Sequence, residues 1–375
     1  MTVEAWTRAR LIRLRTAHSP RRCLQIAAFV AGQSVPLAEP GLRRPVVCGF
    51  VNTVLTGSIA TDHLMRFPGR FRDSLLAGSL ENVSLSFLVD ELVIRRGGVA
   101  ANIAYGMGLL GARPVLVGAV GADFADYRAW LEQHGVDTSS VHVSDLAHTA
   151  RFLCTTDAEL NQIASFYAGA MSEARNISLA PVAERLGGID LVVVSPNDPE
   201  AMLRHTQEAR SAGYPLLADP SQQLARMEGP ELRRLVQGAA YLVTNEYERD
   251  LLASKTGWTD EQVLEQVGVR LTTIGSKGVE IQRSGEPAIT IPVVPESGKV
   301  DPTGVGDAFR AGLLAGLGGD LPVPACARLG SLLAVYVLET VGPQEYVMDR
   351  HDAVVRLTDA YGPQAAAEIA AVLPD

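Results

Sequence analysis

Cysteine is scarce in this chain: four residues in 375, Cys23, Cys48, Cys154 and Cys326, none in Cys-x-x-Cys spacing. That pattern suggests neither a disulfide framework nor a zinc site, and a reducing, cytoplasmic setting is expected. No apolar run approaches the roughly 20 residues that cross a bilayer, so no membrane partner is expected. Positive charge is in deficit too, with 33 Lys and Arg against 42 Asp and Glu for a net of −9. Such a balance argues against a general nucleic-acid binder. The Gly298-Lys299 pair lacks the upstream glycine of a Walker A loop, since Val293 stands there, and a P-loop enzyme is excluded. Gly106-Met-Gly-Leu-Leu-Gly111 fits the dinucleotide pattern Gly-x-Gly-x-x-Gly. It falls late in a helix beginning near Ala100 rather than between strand and helix, so close helix packing is the better reading.

What the chain has is apolar mass and an uneven charge distribution. With 47% hydrophobic residues and 35 glycines it can bury a large core in one or two α/β domains. Residues 1–50 carry eight arginines against Glu4 and Glu39, a net of +6, so the remainder carries −15. Ser19 to Gln25 faintly resembles a twin-arginine signal, but the apolar run Ile26 to Gly32 is short for one. Residues 1–50 are expected to be a disordered or non-native basic extension, with the domain occupying 51–375 from a first strand at Val51 to Gly57.

Beyond that point strand and helix patterns alternate. Apolar runs at Thr53–Gly57, Pro114–Val120, Leu191–Ser195, Leu216–Asp219, Tyr241–Thr244 and Leu271–Ile274 have strand length. Helical stretches lie between them at Pro199–Ala212, Pro230–Gly238 and Asp260–Val267. This rhythm predicts an α/β fold with a central, mostly parallel sheet flanked by helices. Ligands in such sheets gather at the carboxyl ends of the strands, where Asp62, Asn197, Asp219 and Asn245 are expected. Two segments, about 64–96 and 148–170, break the rhythm. Their alternation, as in Ser84 to Asp90 and Ala150 to Thr155, predicts a small separate β-sheet.

The most informative stretch is Asp301-Pro-Thr-Gly-Val-Gly-Asp-Ala-Phe-Arg-Ala-Gly312. Gly304 and Gly306 let the backbone turn so that successive amides converge on one point. An apolar helix over Ala308 to Leu317 then adds its own unpaired amides and dipole, which favour an anion there. A carboxylate beside such a nest, Asp307, supplies nearly all that phosphoryl transfer requires, namely charge stabilisation and a base for a hydroxyl. The bland alternative is that Asp307 merely caps the helix.

Four further constellations stay open between a functional and a structural role. Gly97-Gly98, ahead of a helix carrying Asn102, allows close approach of a ligand whose hydroxyls Asn102 can bond, or is a common turn. Ser58 and Asp62 follow the first strand, where the carboxylate can take two adjacent ribose hydroxyls or act as a loop acid. Asn245 and Glu248 offer oxygen ligands to a hydrated cation, or a helix cap. Thr273-Ile-Gly-Ser-Lys-Gly278 is a nucleotide loop or a β-turn.

The 301–312 pattern resembles the PfkB, or ribokinase-like, family of sugar and nucleoside kinases. From about residue 53 onward, Thr56 to Gly69, Ala164 to Arg175 and Asp219 to Arg226 look like the adenosine kinases of actinobacteria within that family. The resemblance implies that the small sheet is a lid, which often pairs with a second subunit's lid to form a homodimer. It implies phosphate transfer from MgATP to the 5′-hydroxyl of adenosine, with Asp307 as base and Gly304 and Gly306 in the anion hole. Ser58, Asp62, Ser86, Gly98 and Asn102 would hold the ribose, and Phe152, Phe166 and Met171 would wall the adenine, though as lid or core residues these three need no ligand. Gln222, Gln223 and Arg226 would line the same site. Asn245, Thr273, Gly275, Lys277, Gly278 and Gly306 would meet ATP, with magnesium reached from Asn245 and Glu248 through water. A monovalent cation, potassium, is expected near Asp301 and Val341-Gly342. Departures are small: Ala101 stands where relatives often have Gly, and Pro302 where Thr is commoner. A ribokinase or other nucleoside kinase, and a non-catalytic nucleoside-binding protein, remain as rivals.

Overall fold

Val54 and Leu55 in the first strand are wholly buried, one against each of two large apolar clusters on opposite sides of the sheet. Continuous burial of this kind is what a parallel strand covered on both faces requires. The structure, a computed structural model, describes residues 52–74 and 86–374. The basic segment 1–50, Val51, and Ser84 and Leu85 of the expected lid alternation lie outside the described residues.

The main sheet has eight strands in the order β14-β13-β12-β11-β10-β9-β1-β4. These are β1 (Thr53–Thr56), β4 (Val115–Val117), β9 (Leu191–Val194), β10 (Leu216–Ala218), β11 (Ala239–Asn245), β12 (Val267–Thr273), β13 (Val279–Gln282) and β14 (Ile289–Ile291). From β4 to β12 the pairing is parallel, while β13 and β14 add an antiparallel edge. Helices cover both faces, as the alternation predicts. The expected helix Pro199–Ala212 is found with those bounds, started by Asp198, whose side chain accepts from Ala201 N.

The run Pro114–Val120 divides at Gly118: β4 stays in the main sheet, and β5 (Ala119–Gly121) pairs with β6 (His142–Ser144) in a two-stranded ribbon. Close backbone approach requires glycine at the break, since a Cβ on Gly118 would lie 2.8 Å from the Gly57 carbonyl oxygen. Gly106 and Gly108 behave as expected of close packing. A Cβ would meet the Tyr346 hydroxyl at 2.6 Å from the former and the His134 carbonyl oxygen at 1.9 Å from the latter.

The separate sheet is present, with order β3-β2-β7-β8, formed by β2 (Ala60–Arg66), β3 (Glu91–Gly97), β7 (Ala150–Thr156) and β8 (Gln162–Tyr167). Its first strand starts at Ala60, before the expected boundary at 64, so Asp62 belongs to this sheet and not to a carboxyl end of the main one. The expected strand near Ser84 to Asp90 is also displaced, since residues 86–89 have no regular structure and the strand is β3. The apolar residue that suggested a strand there, Phe87, instead packs against Phe67 and Phe71 with ring centroids 4.9 and 5.0 Å away.

Register sorts the residues of this sheet. Asp62 lies opposite Arg95 on one side and Phe152 on the other, and Phe152 lies opposite Phe166. The four therefore share one face. Leu92, Ile94, Ile163 and Tyr167 occupy the other face, each between 43% and 58% exposed.

Candidate active site

The helix carrying Asp307 runs Val305–Gly318 and begins earlier than its apolar pattern suggests, with Gly304 as N-cap at φ 82°. Only glycine enters that left-handed position freely, and a Cβ there would meet Pro343 at 2.5 Å. Asp301 shapes the turn in front: one oxygen accepts from Thr303 N at 2.9 Å and the other from Gly342 N at 3.1 Å. The cap alternative for Asp307 is not realised. Asp307 is the third helical residue, and its Oδ2 accepts from Asn102 Nδ2 at 2.8 Å.

Asn102 reaches Asp307 from the helix Val99–Leu109. That helix is placed by Gly98, at φ 94°, where a Cβ would lie 2.6 Å from both Ala60 N and Ser58 O. Ser58 Oγ accepts from Val99 N at 3.0 Å, so the hydroxyl fixes the helix start. Asn102 is held in turn by Gln344, whose Nε2 donates to Asn102 Oδ1 at 2.8 Å and to Tyr127 Oη at 2.5 Å. The bond to Asn102 Oδ1 orients that amide so that its nitrogen faces Asp307. No motif in the sequence pointed to Gln344 or Tyr127.

The acids of the site titrate unusually. Burial pushes the Asp307 carboxyl up to about 6, against the Asn102 hydrogen bond and the Arg310 charge, with Glu248 adding to the rise. Asp62 is likewise pushed up to about 6 by burial, Arg95 opposing and the charges of Asp307 and Asp301 adding.

Of the residues expected at strand ends, Asn197, Asp219 and Asn245 lie there as anticipated, and Asp62 does not. Asn245 and Glu248 form a reciprocal cap: Asn245 Oδ1 accepts from Glu248 N, and Glu248 Oε2 from Asn245 N, both at 2.8 Å. The capping alternative is therefore realised, while the pair still presents an oxygen-rich set of the kind a hydrated magnesium favours. The Thr273–Gly278 loop is a turn between β12 and β13. Gly278 is required there, because a Cβ would meet Ile291 O at 2.0 Å, whereas Gly275 stands in open space.

The remaining expected residues divide. Phe152 and Phe166 face the space beside Asp62, but Met171 is buried against Ala60 and Ala150 at the base of the lid. Gln223 is buried and donates to Asn197 O at 2.6 Å, while Gln222, Arg226, Ser86 and Lys277 are exposed. Asp301 lies 3.5 Å from Arg95 Nη1, so a guanidinium already faces the carboxylate where potassium was expected.

Comparison with known proteins bears on this geometry. Residues 59–350 match the model of the pfkB family of carbohydrate kinases. A nucleoside kinase of Methanothermobacter thermautotrophicus is 33% identical over 71% of this chain and 85% of that protein. The structure of Burkholderia thailandensis nucleoside kinase in complex with inosine superposes with a TM-score of 0.71 at 35% identity, covering 83% of this chain and 98% of that one. Methanocaldococcus jannaschii nucleoside kinase, described as an archaeal member of the ribokinase family, gives 0.72 at 25% identity over 83% and 99%.

Proposed function

Because the chain belongs to the pfkB family of carbohydrate kinases, we propose that it is an adenosine kinase, transferring the γ-phosphate of MgATP to the 5′-hydroxyl of adenosine. The observation that carries this reading is the Asn102–Asp307 bond facing a lid surface that aligns Asp62 with Phe152 and Phe166. A carboxyl for ribose hydroxyls beside two aromatic rings is a chemistry suited to a nucleoside rather than a bare sugar.

In this reading Asp62, Ser58, Gly98 and Asn102 hold the ribose, and Phe152 and Phe166 flank the base. The 5′-oxygen attacks the γ-phosphorus, its proton passes to the Asp307 carboxylate, and the bond to the bridging oxygen breaks to release ADP. Amides of Gly304 to Asp307 meet the charge that develops on the phosphoryl oxygens. Magnesium arrives with ATP, and Asn245 and Glu248 would meet it through water. The Thr273–Gly278 turn, with Lys277, lines the donor side. Gln222, Gln223 and Arg226 border the acceptor side. The exposed apolar face of Leu92, Ile94, Ile163 and Tyr167 supports pairing of two lids in a homodimer.

The test is ADP release with MgATP and adenosine, inosine or ribose as acceptor, with Asp307→Asn as the blank. Adenosine-dependent turnover that the variant loses by at least about 10²-fold supports the assignment. Preference for inosine or ribose would overturn the substrate and leave the kinase, and tight adenosine binding without turnover would favour a nucleoside-binding protein.

A further inference from the structure

Arg310 was an unassigned position in the 301–312 pattern, yet it is 6% exposed and lies directly behind the Gly304–Asp307 turn. Its side chain folds toward the helix N-terminus, the direction that helical rotamers favour. Nη1 donates to Gly306 O at 3.0 Å, and Nη2 donates to Asp219 Oδ1 at 2.6 Å and stands 4.0 Å from Glu248 Oε2. Asp219 is 0% exposed at the end of β10. Arg310 Nε and Asp219 Oδ2 have no partner among the described residues.

This is a poor way to stabilise a fold. A buried ion pair with unpaired atoms is matched or bettered by apolar side chains of similar volume, and a cation at a helix N-terminus opposes the helix dipole. Both penalties fall at the one turn where positive potential is useful for a transferring phosphoryl group. The groups that face Asp307 are Arg310 on its own helix, Asp219 from β10, Glu248 from the helix Glu246–Thr256, Asp62 from the lid, and the phenols Tyr127 and Tyr346. Among them Arg310 is the cation, and a guanidinium does not lose its proton in a protein.

We infer that Arg310, tethered by Asp219, is a positioning residue that keeps Asp307 ionised for proton abstraction and holds the Gly306 carbonyl so that the turn's amides stay aimed at the phosphoryl group. The inference rests on Asp307 acting as base. It explains why an aspartate sits wholly buried against the Arg310 guanidinium.

The experiment is the pH profile of kcat/KM for Arg310→Met, Arg310→Gln and Arg310→Lys beside wild type and Asp307→Asn, with folding checked by circular dichroism. Removing the charge should move the acid limb up by about 1–2 pH units and lower kcat/KM at pH 7 by about two- to tenfold, with recovery toward pH 9. Arg310→Lys should keep the limb near its wild-type position. A folded Met or Gln variant with the wild-type limb, whatever its overall rate, overturns the inference. So does failure of both neutral variants to fold, since the charge would then serve the fold instead of the base. Retained turnover in Asp307→Asn would remove the base itself, whereas an inactive Asp307→Asn beside an unmoved Arg310→Met limb would sink only the role given to Arg310.

Discussion

Replacing Asn102 by Leu removes one charge-assisted hydrogen bond and little else of shape. Asn102 Nδ2 donates to Asp307 Oδ2 at 2.8 Å, and Gln344 Nε2, which loses Asn102 Oδ1, keeps Tyr127 Oη as acceptor. A hydrogen bond to an ionised carboxylate contributes about 1.5–3 kcal/mol net, which at 1.36 kcal/mol per unit is about 1–2 units of pKa. Asp307 would therefore move from about 6 to about 7–8. A base acts in its ionised form, so activity is present above its pKa and lost as pH falls through it. At pH 7 the ionised fraction should drop from about 0.9 to between about 0.5 and 0.1, a two- to tenfold loss in kcat/KM. Raising the pH to 9 should restore that part of the loss. Asn102 is also assigned to ribose, so KM is expected to rise at every pH. The position of the acid limb, not the amplitude, decides the matter, and a wild-type limb in Asn102→Leu would refute the role given to this bond.

Asp62→Asn should separate binding from stability. The Asp62 carboxyl, pushed up to about 6 by burial, holds its proton more tightly folded than unfolded, so the stability it contributes is full below about pH 4 and lost as pH rises through about 6. The variant should gain about 1–3 kcal/mol over wild type at pH 8 relative to pH 4, read by urea unfolding, while its KM for adenosine rises. An equal difference at both pH values would contradict the burial. Gly98→Ala should be destabilised by about 2–4 kcal/mol, because φ is 94° and the new Cβ would strike backbone atoms at 2.6 Å. A melting temperature like that of wild type would mean the Ser58–Gly98 approach is looser than described.

Much of the fold was legible because the parallel strands are apolar on both faces and the covering helices carry strong end signals such as Asp198-Pro199. The lid was harder. Its strands mix charged and apolar residues because much of this sheet is exposed, so Glu91, Arg95 and Arg96 in β3 blurred the alternation. Phe87, apolar for a local aromatic cluster, imitated a strand. At the site, glycines and acids announced themselves because backbone geometry demands the former and chemistry the latter. Gln344 and Arg310 were silent, since an amide 242 residues from its partner and an arginine inside an apolar helix acquire meaning only through tertiary contact. The Asn245–Glu248 pair satisfied a cap and a ligand pattern at once, and spacing alone cannot divide those two roles.

The most direct measurement is identification of the product of MgATP and adenosine by mass and phosphorus spectroscopy, for wild type and Asp307→Asn side by side. Phosphate on the 5′-oxygen of adenosine with wild type, and none above background with the variant, is the expected result. Phosphate on another oxygen, release to water alone, or equal product from the variant would contradict a nucleoside 5′-hydroxyl activated by Asp307.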